Sequence, residues 1–171
     1  MRVLGIDPGS HITGYGIVDS YKGKLLHVSD GSIVAGSKKN LALRLNSIFD
    51  SIQKVIGEFK PDDVVIEEIF YAKNARSAIM LGHARGVAIL CAAQQGLPVF
   101  EYSPMKIKQS VVGYGNATKD QVQKMVKALL KLNSISKPDA SDALAAAICH
   151  IHHKGRQEAR GNRQQVKSYS P

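Results

Sequence analysis

Asp7, the pair Glu67 and Glu68, and the pair Asp139 and Asp142 are the acids of this 171-residue chain whose positions could serve chemistry. Asp7 ends an apolar run begun at Val3 and is followed at once by Pro8 and Gly9, so a carboxylate leaves a buried strand where the chain must turn. Asp-Pro-Gly is good turn chemistry by itself, and Asp7 alone assigns nothing. Glu67 and Glu68 close the run Val64, Val65, Ile66, and so apolar a strand gains nothing from acids unless it has reached the surface. Successive strand residues point to opposite faces, so only one of the two shares a site with Asp7, and counting does not say which. Asp139 and Asp142 open a helix on one face, which continues through Ala143, Ala146, Cys149 and His150. Acids suit the start of a helix, yet two on a face that packs against a sheet exceed what capping requires.

Carboxylates gathered from two strand ends and one helix repel one another and raise each other's pKa, and divalent cations relieve that. Hard oxygen ligands without His or Cys favour Mg²⁺ or Mn²⁺ over zinc. Two such ions about 4 Å apart suit in-line phosphodiester hydrolysis, one activating the water and the other stabilising the leaving oxygen.

Candidate phosphate ligands accompany the acids. Lys119 is the first residue inside a helix capped by Thr118, and Lys106 lies in the first turn after Ser103-Pro104. Lysine there opposes the helix dipole, and an arriving phosphate reverses the sign. Phe70 and Tyr71 precede Lys73 and Arg76, a grouping able to stack on exposed bases, although core packing of Phe70 is the simpler reading of the residues alone. His150, His152 and His153 could suggest metal, but a helix C-terminus readily collects such residues.

Composition supports a polyanionic partner. Lys and Arg number 23 against 14 Asp and Glu, a formal charge of +9, in a chain 44% hydrophobic and 22% charged, too apolar for a disordered basic protein. Residues 154–171 carry +4 of that charge. Cys91 and Cys149 sit among apolar residues with no CxxC spacing, which predicts reduced, buried thiols and a cytoplasmic setting. No run approaches the ~18 apolar residues of a membrane span, and Arg2 leads straight into a strand, with nothing of a signal peptide.

The elements that position these groups follow from periodicity. Strands are predicted at 3–7, 14–19 and 25–35, joined by short connections that suit an antiparallel meander. Apolar residues at Leu41, Leu45, Ile48, Phe49, Ile52, Val55 and Ile56 mark an amphipathic helix. A buried strand at 64–66, a small-residue helix at 74–95 and a strand at 97–102 follow. Caps at Ser103 and Thr118 start two more helices, Thr118 and Gln121 having capping-box spacing. A last helix spans 138 to about 153, and 154–171 reads as a basic flexible tail after a single domain at 1–153. The order implies an α/β fold, a mixed sheet with helices packed on it.

Five segments together resemble the RuvC family of bacterial Holliday-junction resolvases: Gly5-Ile-Asp-Pro-Gly-Ser-His-Ile-Thr-Gly-Tyr-Gly, Ile66-Glu-Glu-Ile-Phe-Tyr-Ala-Lys-Asn, Gly82-His-Ala-Arg-Gly-Val-Ala, Val99-Phe-Glu-Tyr and Asp139-Ala-Ser-Asp-Ala-Leu-Ala. The resemblance runs in order over residues 2–150. It implies a ribonuclease H-like, five-stranded mixed sheet and a homodimer that nicks opposing strands of a four-way DNA junction with Mg²⁺, in recombination and repair. It selects Glu67 over Glu68 and makes Asp7, Glu67, Asp139 and Asp142 the catalytic, metal-binding acids. It points to Lys108 and Lys119 near the scissile strand, to an aromatic wedge at Phe70 and Tyr71, and to the helix carrying Gly82 and Gly86 as a dimer contact. Those glycines, a turn apart, otherwise suit a close helix contact within the fold. RuvA and RuvB, branch-migration proteins, are partners the resemblance alone suggests. Asp-Pro-Gly-Ser followed by Gly-Tyr-Gly also resembles the phosphate loop of actin-like kinases and chaperone ATPases, which need two such domains where this chain has room for one. A junction-binding protein without catalysis is the other rival, and the intact acids speak against it.

Overall fold

Arg2–Asp7 (β1) runs through the middle of a five-stranded sheet in the computed structural model, which describes residues 1–36, 40–68 and 75–167, with side chains as far as 157. It pairs antiparallel with Ile12–Tyr21 (β2), and β2 pairs antiparallel with Lys24–Val34 (β3). On its other side β1 runs parallel to Asp63–Glu67 (β4), itself parallel to Val99–Tyr102 (β5), giving the order β3-β2-β1-β4-β5. This is the meander followed by parallel strands that the connection lengths imply. β2 runs longer than its apolar pattern suggests and β3 begins one residue earlier, because Lys22 and Gly23 both adopt positive φ and close a two-residue hairpin directly between Tyr21 and Lys24.

Parallel strands require crossovers, which helices on one face supply, and the helices after the last strand cover the other face. Leu41–Phe59 (α1) and Ala75–Gln94 (α2) bury Ile48, Ile52, Ile56, Ala84 and Ala88 with Leu4, Ile6, Val64 and Ile66. The other face carries Pro104–Val112 (α3), Lys119–Leu130 (α4) and Pro138–Lys167 (α5), whose Ile107, Val122, Leu144 and Ile148 close over Val3, Val18 and Val65. Two helix starts are the capped ones the residues announce: Ser103 accepts from the Lys106 amide, and Thr118 and Gln121 form both bonds of a capping box. Asn40, not singled out by the sequence, caps α1 by accepting from the Leu43 amide at 3.0 Å.

The last helix departs from expectation. It does not stop near His153 but continues to Lys167. Beyond His153 the chain loses its apolar period because it has left the core, not its helical propensity: Lys154, Arg156, Gln157, Glu158, Ala159 and Arg160 favour helix, with Gly155 the one breaker among them. Lys154 also ties this stretch to β4 through an ion pair with Asp63. The three histidines therefore lie in mid-helix, and a helix C-terminus does not explain them. His150 is 2% exposed, with Nδ1 2.9 Å from the Tyr102 hydroxyl and Nε2 2.9 Å from Asp63 Oδ2, while His153 stacks on the Tyr102 ring. Cys91 and Cys149 are free and buried, as the residues around them imply, and burial pushes both thiols up to about 11.

Gly5, Gly14 and Gly16 decide how closely α5 approaches the sheet. A Cβ on Gly5 would overlap the carbonyl oxygen of Ala143, and one on Gly14 would overlap that of Asp139. The first turns of α5 thus rest on bare strand backbone beside the end of β1. Gly82 and Gly86 do the opposite, since a Cβ on either meets nothing within 4 Å, so neither serves a close helix contact among the described residues.

Candidate active site

Ile6 and Ile66 are partners in the parallel pairing of β1 and β4, so Asp7 and Glu67 stand one step further along neighbouring strands. Paired residues of parallel strands share a face. The face here is that of Val3, Gly5 and Val65, the one α5 covers. Both acids line a cleft of about 220 Å³ closed by Pro104, Ile107 and Lys108 of α3, Lys119 and Val122 of α4, and Asp142 and Ala145 of α5. Glu68 lies past the end of β4, its amide donating to the Tyr102 carbonyl at 3.0 Å. The alternation that left Glu67 and Glu68 open is thus resolved by register.

Electrostatics mark the cleft as a place for cations. Burial first, then the charges of Asp142 and Asp139, raise Asp7 to about 6, with Lys119 opposing. Burial, Asp7 and Asp142 raise Glu67 to about 7 against Lys119 and Lys108. Lys119 Nζ lies 3.0 Å from Asp142 Oδ2, and this bond holds the lysine's pKa above its ordinary value. Asp139 occupies the first turn of α5 and acts on Asp7 through its charge, without lining the cleft itself. The four acids thus converge from β1, β4 and α5. Among the described residues no three acidic, imidazole or thiol groups yet close round one point as a metal would require. The donor set nonetheless fits a hard divalent cation: it is all oxygen, partly desolvated and self-repelling, with lysine as its present counter-charge.

The basic residues divide between sites. Lys108 and Lys119 line the cleft, whereas Lys106 sits with its Nζ 4.9 Å from the centre of the Tyr102 ring. Arg76 borders a separate groove on the α1–α2 face. Phe70, Tyr71 and Lys73 lie outside the described residues. Three contributors escape a search for reactive side chains. Gly5 and Gly14 admit α5, and buried Thr13 ties the turn after Asp7 by donating to the Gly9 carbonyl at 2.9 Å. The signal for all three is their place in the Gly-Ile-Asp-Pro-Gly segment and the Thr-Gly-Tyr-Gly that follows.

A ribonuclease H-like sheet with acids at the ends of its two central strands, faced by acids from a crossing helix, defines a metal-dependent nuclease. Residues 3–150 match the family described as Crossover junction endodeoxyribonuclease RuvC. The RuvC of Geobacter metallireducens is 54% identical over 155 residues, covering 91% of this chain and 94% of its own. The Thermus thermophilus RuvC solved in complex with Holliday junction substrate superposes with a TM-score of 0.85 at 31% identity, over 90% of this chain and 94% of that one. A yeast mitochondrial Holliday junction resolvase shares the fold at a TM-score of 0.66 and 14% identity, over 96% of this chain and 85% of its own. The chain belongs to the RuvC family of crossover junction endodeoxyribonucleases. Its reaction is hydrolysis of DNA phosphodiester bonds at such junctions, and the ATPase and non-catalytic alternatives fall away.

Proposed function

We propose that the protein resolves four-way junctions by paired, symmetric cuts, with Asp7, Glu67, Asp139 and Asp142 as the catalytic acids that hold two Mg²⁺ ions, Mn²⁺ being able to substitute. The observation that carries this reading is the pair Asp7 and Glu67, side by side in one cleft, each raised first by burial and then by the charges of neighbouring acids. Bound there, the metal supplies activation of the attacking water and neutralises charge at the leaving oxygen. The chain's own groups do the rest. Asp7 and Glu67 present carboxylates from rigid strand ends, and Asp139 and Asp142 face them from α5, so the reacting phosphate is addressed from two sides. Lys119 exchanges its contact with Asp142 for a nonbridging phosphate oxygen, and Lys108 supports the same phosphate from α3. Lys106, at the start of α3, and Arg76, at the start of α2, extend the phosphate contacts. Phe70, Tyr71 and Lys73 follow Glu67 closely in sequence and engage the junction's bases and backbone.

One cleft of this kind per chain implies two copies for a two-fold junction. An exposed face of α2 supports a homodimer there: Ile79, Gly82, Gly86 and Leu90 fall on one side of the helix, with Ile79 59% and Leu90 52% exposed. RuvA and RuvB are the partners that would deliver the junction. The buried, reduced thiols suit a cytoplasmic site of action. Among the described residues no helix is long and apolar enough to cross a membrane. Residues 1–153 constitute the nuclease domain, and 154–171 a basic extension that adds nonspecific DNA affinity.

A labelled synthetic four-way junction incubated with the protein and either Mg²⁺ or EDTA tests the reading. Paired nicks at symmetric positions are expected with Mg²⁺ alone. Nicks that persist in EDTA, or unpaired random cutting, would overturn it.

A further inference from the structure

We infer that the groove between the β1–β2 turn and the starts of α1 and α2 binds a backbone phosphate of the junction DNA, gripped by Arg44 with Arg76 and Ser10 at its rim. This rests on the junction-cutting activity described above and adds a second anchoring point outside the acid cleft.

The groove, of about 530 Å³, is bordered by Ser10, His11, Arg44, Arg76 and Ser77 over Met80 and Leu81, and among the described residues no acid lines it. Arg44 is only 8% exposed and forms no ion pair among the described residues. Its Nη1 rests against the His11 ring, 3.1 Å from the ring nitrogens, and its Nε is buried with no hydrogen-bond partner among the described residues. A guanidinium withdrawn from water without a counter-charge is costly, and an arriving anion removes that cost by supplying both charge and acceptors. Its planar fork suits phosphate oxygens in a way a single ammonium does not. Arg76 adds an exposed second charge on the same groove, within reach of a DNA backbone in solvent.

Position argues for DNA as the source. Ser10 and His11 follow Asp7 in the turn that leaves β1, so groove and cleft lie at the same end of the sheet, on its opposite faces. One backbone crossing that end meets the acids on the α5 side and the arginines on the α1 side. A bound phosphate in the groove thereby sets the distance along the strand at which the cleft cuts.

The test uses the full chain, a labelled four-way junction in EDTA, and a set of junctions each carrying one neutral methylphosphonate. The wild type should lose affinity, by about tenfold, at one backbone position distinct from the scissile phosphate. Arg44→Gln and Arg76→Ala should bind the unmodified junction more weakly, with a salt slope shallower by about 1, and lose little more at that position. Arg76 is exposed, so its variant carries the test if Arg44→Gln does not fold. Variants as sensitive as the wild type to the same methylphosphonate would overturn the proposal. So would inorganic phosphate raising the wild-type Tm but not that of Arg76→Ala while all proteins respond alike to the modified junctions, since the groove would then serve a free anion. A wild type that binds the junction but does not cut it with Mg²⁺ would instead strike at the catalytic reading and leave the groove standing.

Discussion

Asp7 and Glu67 leave the same face of adjacent parallel strands, one step beyond the pair Ile6 and Ile66, and the charge of Asp7 adds to burial in raising the pKa of Glu67. In the metal-free protein this closeness is a liability, because two partly buried carboxylates must ionise together.

Neutralising either acid should therefore separate stability from activity. Asp7→Asn keeps shape and removes charge, so the metal-free variant should be more stable than the wild type at pH 8 by ~1–2 kcal/mol, after allowing for the site's partial exposure. Cleavage should fall to background while junction binding persists. Urea melts in EDTA, beside gel assays with Mg²⁺, read the two quantities; a variant that still cuts would remove Asp7 from the metal site.

The same groups fix the direction of the pH dependence. Folding raises both pKa values, to about 6 for Asp7 and about 7 for Glu67, so the folded state binds protons more tightly than the unfolded chain. Their contribution to stability is favourable at low pH and is lost as pH rises from the unfolded carboxylate range through about 7. Metal needs the ionised acids, and its affinity should run the other way, dropping as pH falls below about 7. Thermal melts with and without Mg²⁺ between pH 5.5 and 8 should show the metal-induced rise in Tm growing with pH. A pH-independent increment would contradict the assignment.

Lys119 supplies positive charge beside Asp142, and its replacement has two effects. Lys119→Ala should slow cleavage and flatten the salt dependence of junction binding by about 1 in slope, as for one lost phosphate contact. Kinetics and binding unchanged across salt would place the lysine outside the DNA path.

Gly5→Ala places a methyl where the Ala143 carbonyl now lies. The strand or α5 must move, at a cost of ~1–3 kcal/mol, and Asp142 moves with the helix. Calorimetry should show a lower Tm, and cleavage should fall more steeply than junction binding. Equal loss of both would mean simple unfolding.

Far from the cleft, His150 joins α5 to the start of β4 through Asp63, with Tyr102 on its other nitrogen. Burial alone would raise Asp63, but hydrogen bonds from Lys154 and His150 outweigh it and hold the carboxyl low. His150→Ala leaves that buried acid one partner short and should destabilise the fold by ~2–4 kcal/mol, measurable in urea. A depressed carboxylate stabilises above the unfolded pKa and loses that contribution as pH falls towards its own. Asp63→Asn should accordingly reduce the acid sensitivity of the melt.

Much of this was open to reading along the chain. The strand–helix order, the caps at Ser103 and Thr118, and the four acids were legible because each rests on local chemistry: periodicity, a hydroxyl before a proline, a carboxylate after an apolar run. The length of α5 was not, since its distal half has no core face and so no period. Residue types and their order thus determined that the chain folds as an α/β domain with acids at strand ends, and the recurrence of linked segments determined its family. The resemblance chose Glu67 over Glu68 and pointed to Lys108 and Lys119, but tertiary structure alone supplied the register that carries Glu67 into the cleft, laid Lys106 on Tyr102, and buried Arg44 with no ion pair among the described residues. The reason is physical: which face a strand residue takes depends on its register with a neighbour, and whether a charge has a partner depends on elements far away in sequence.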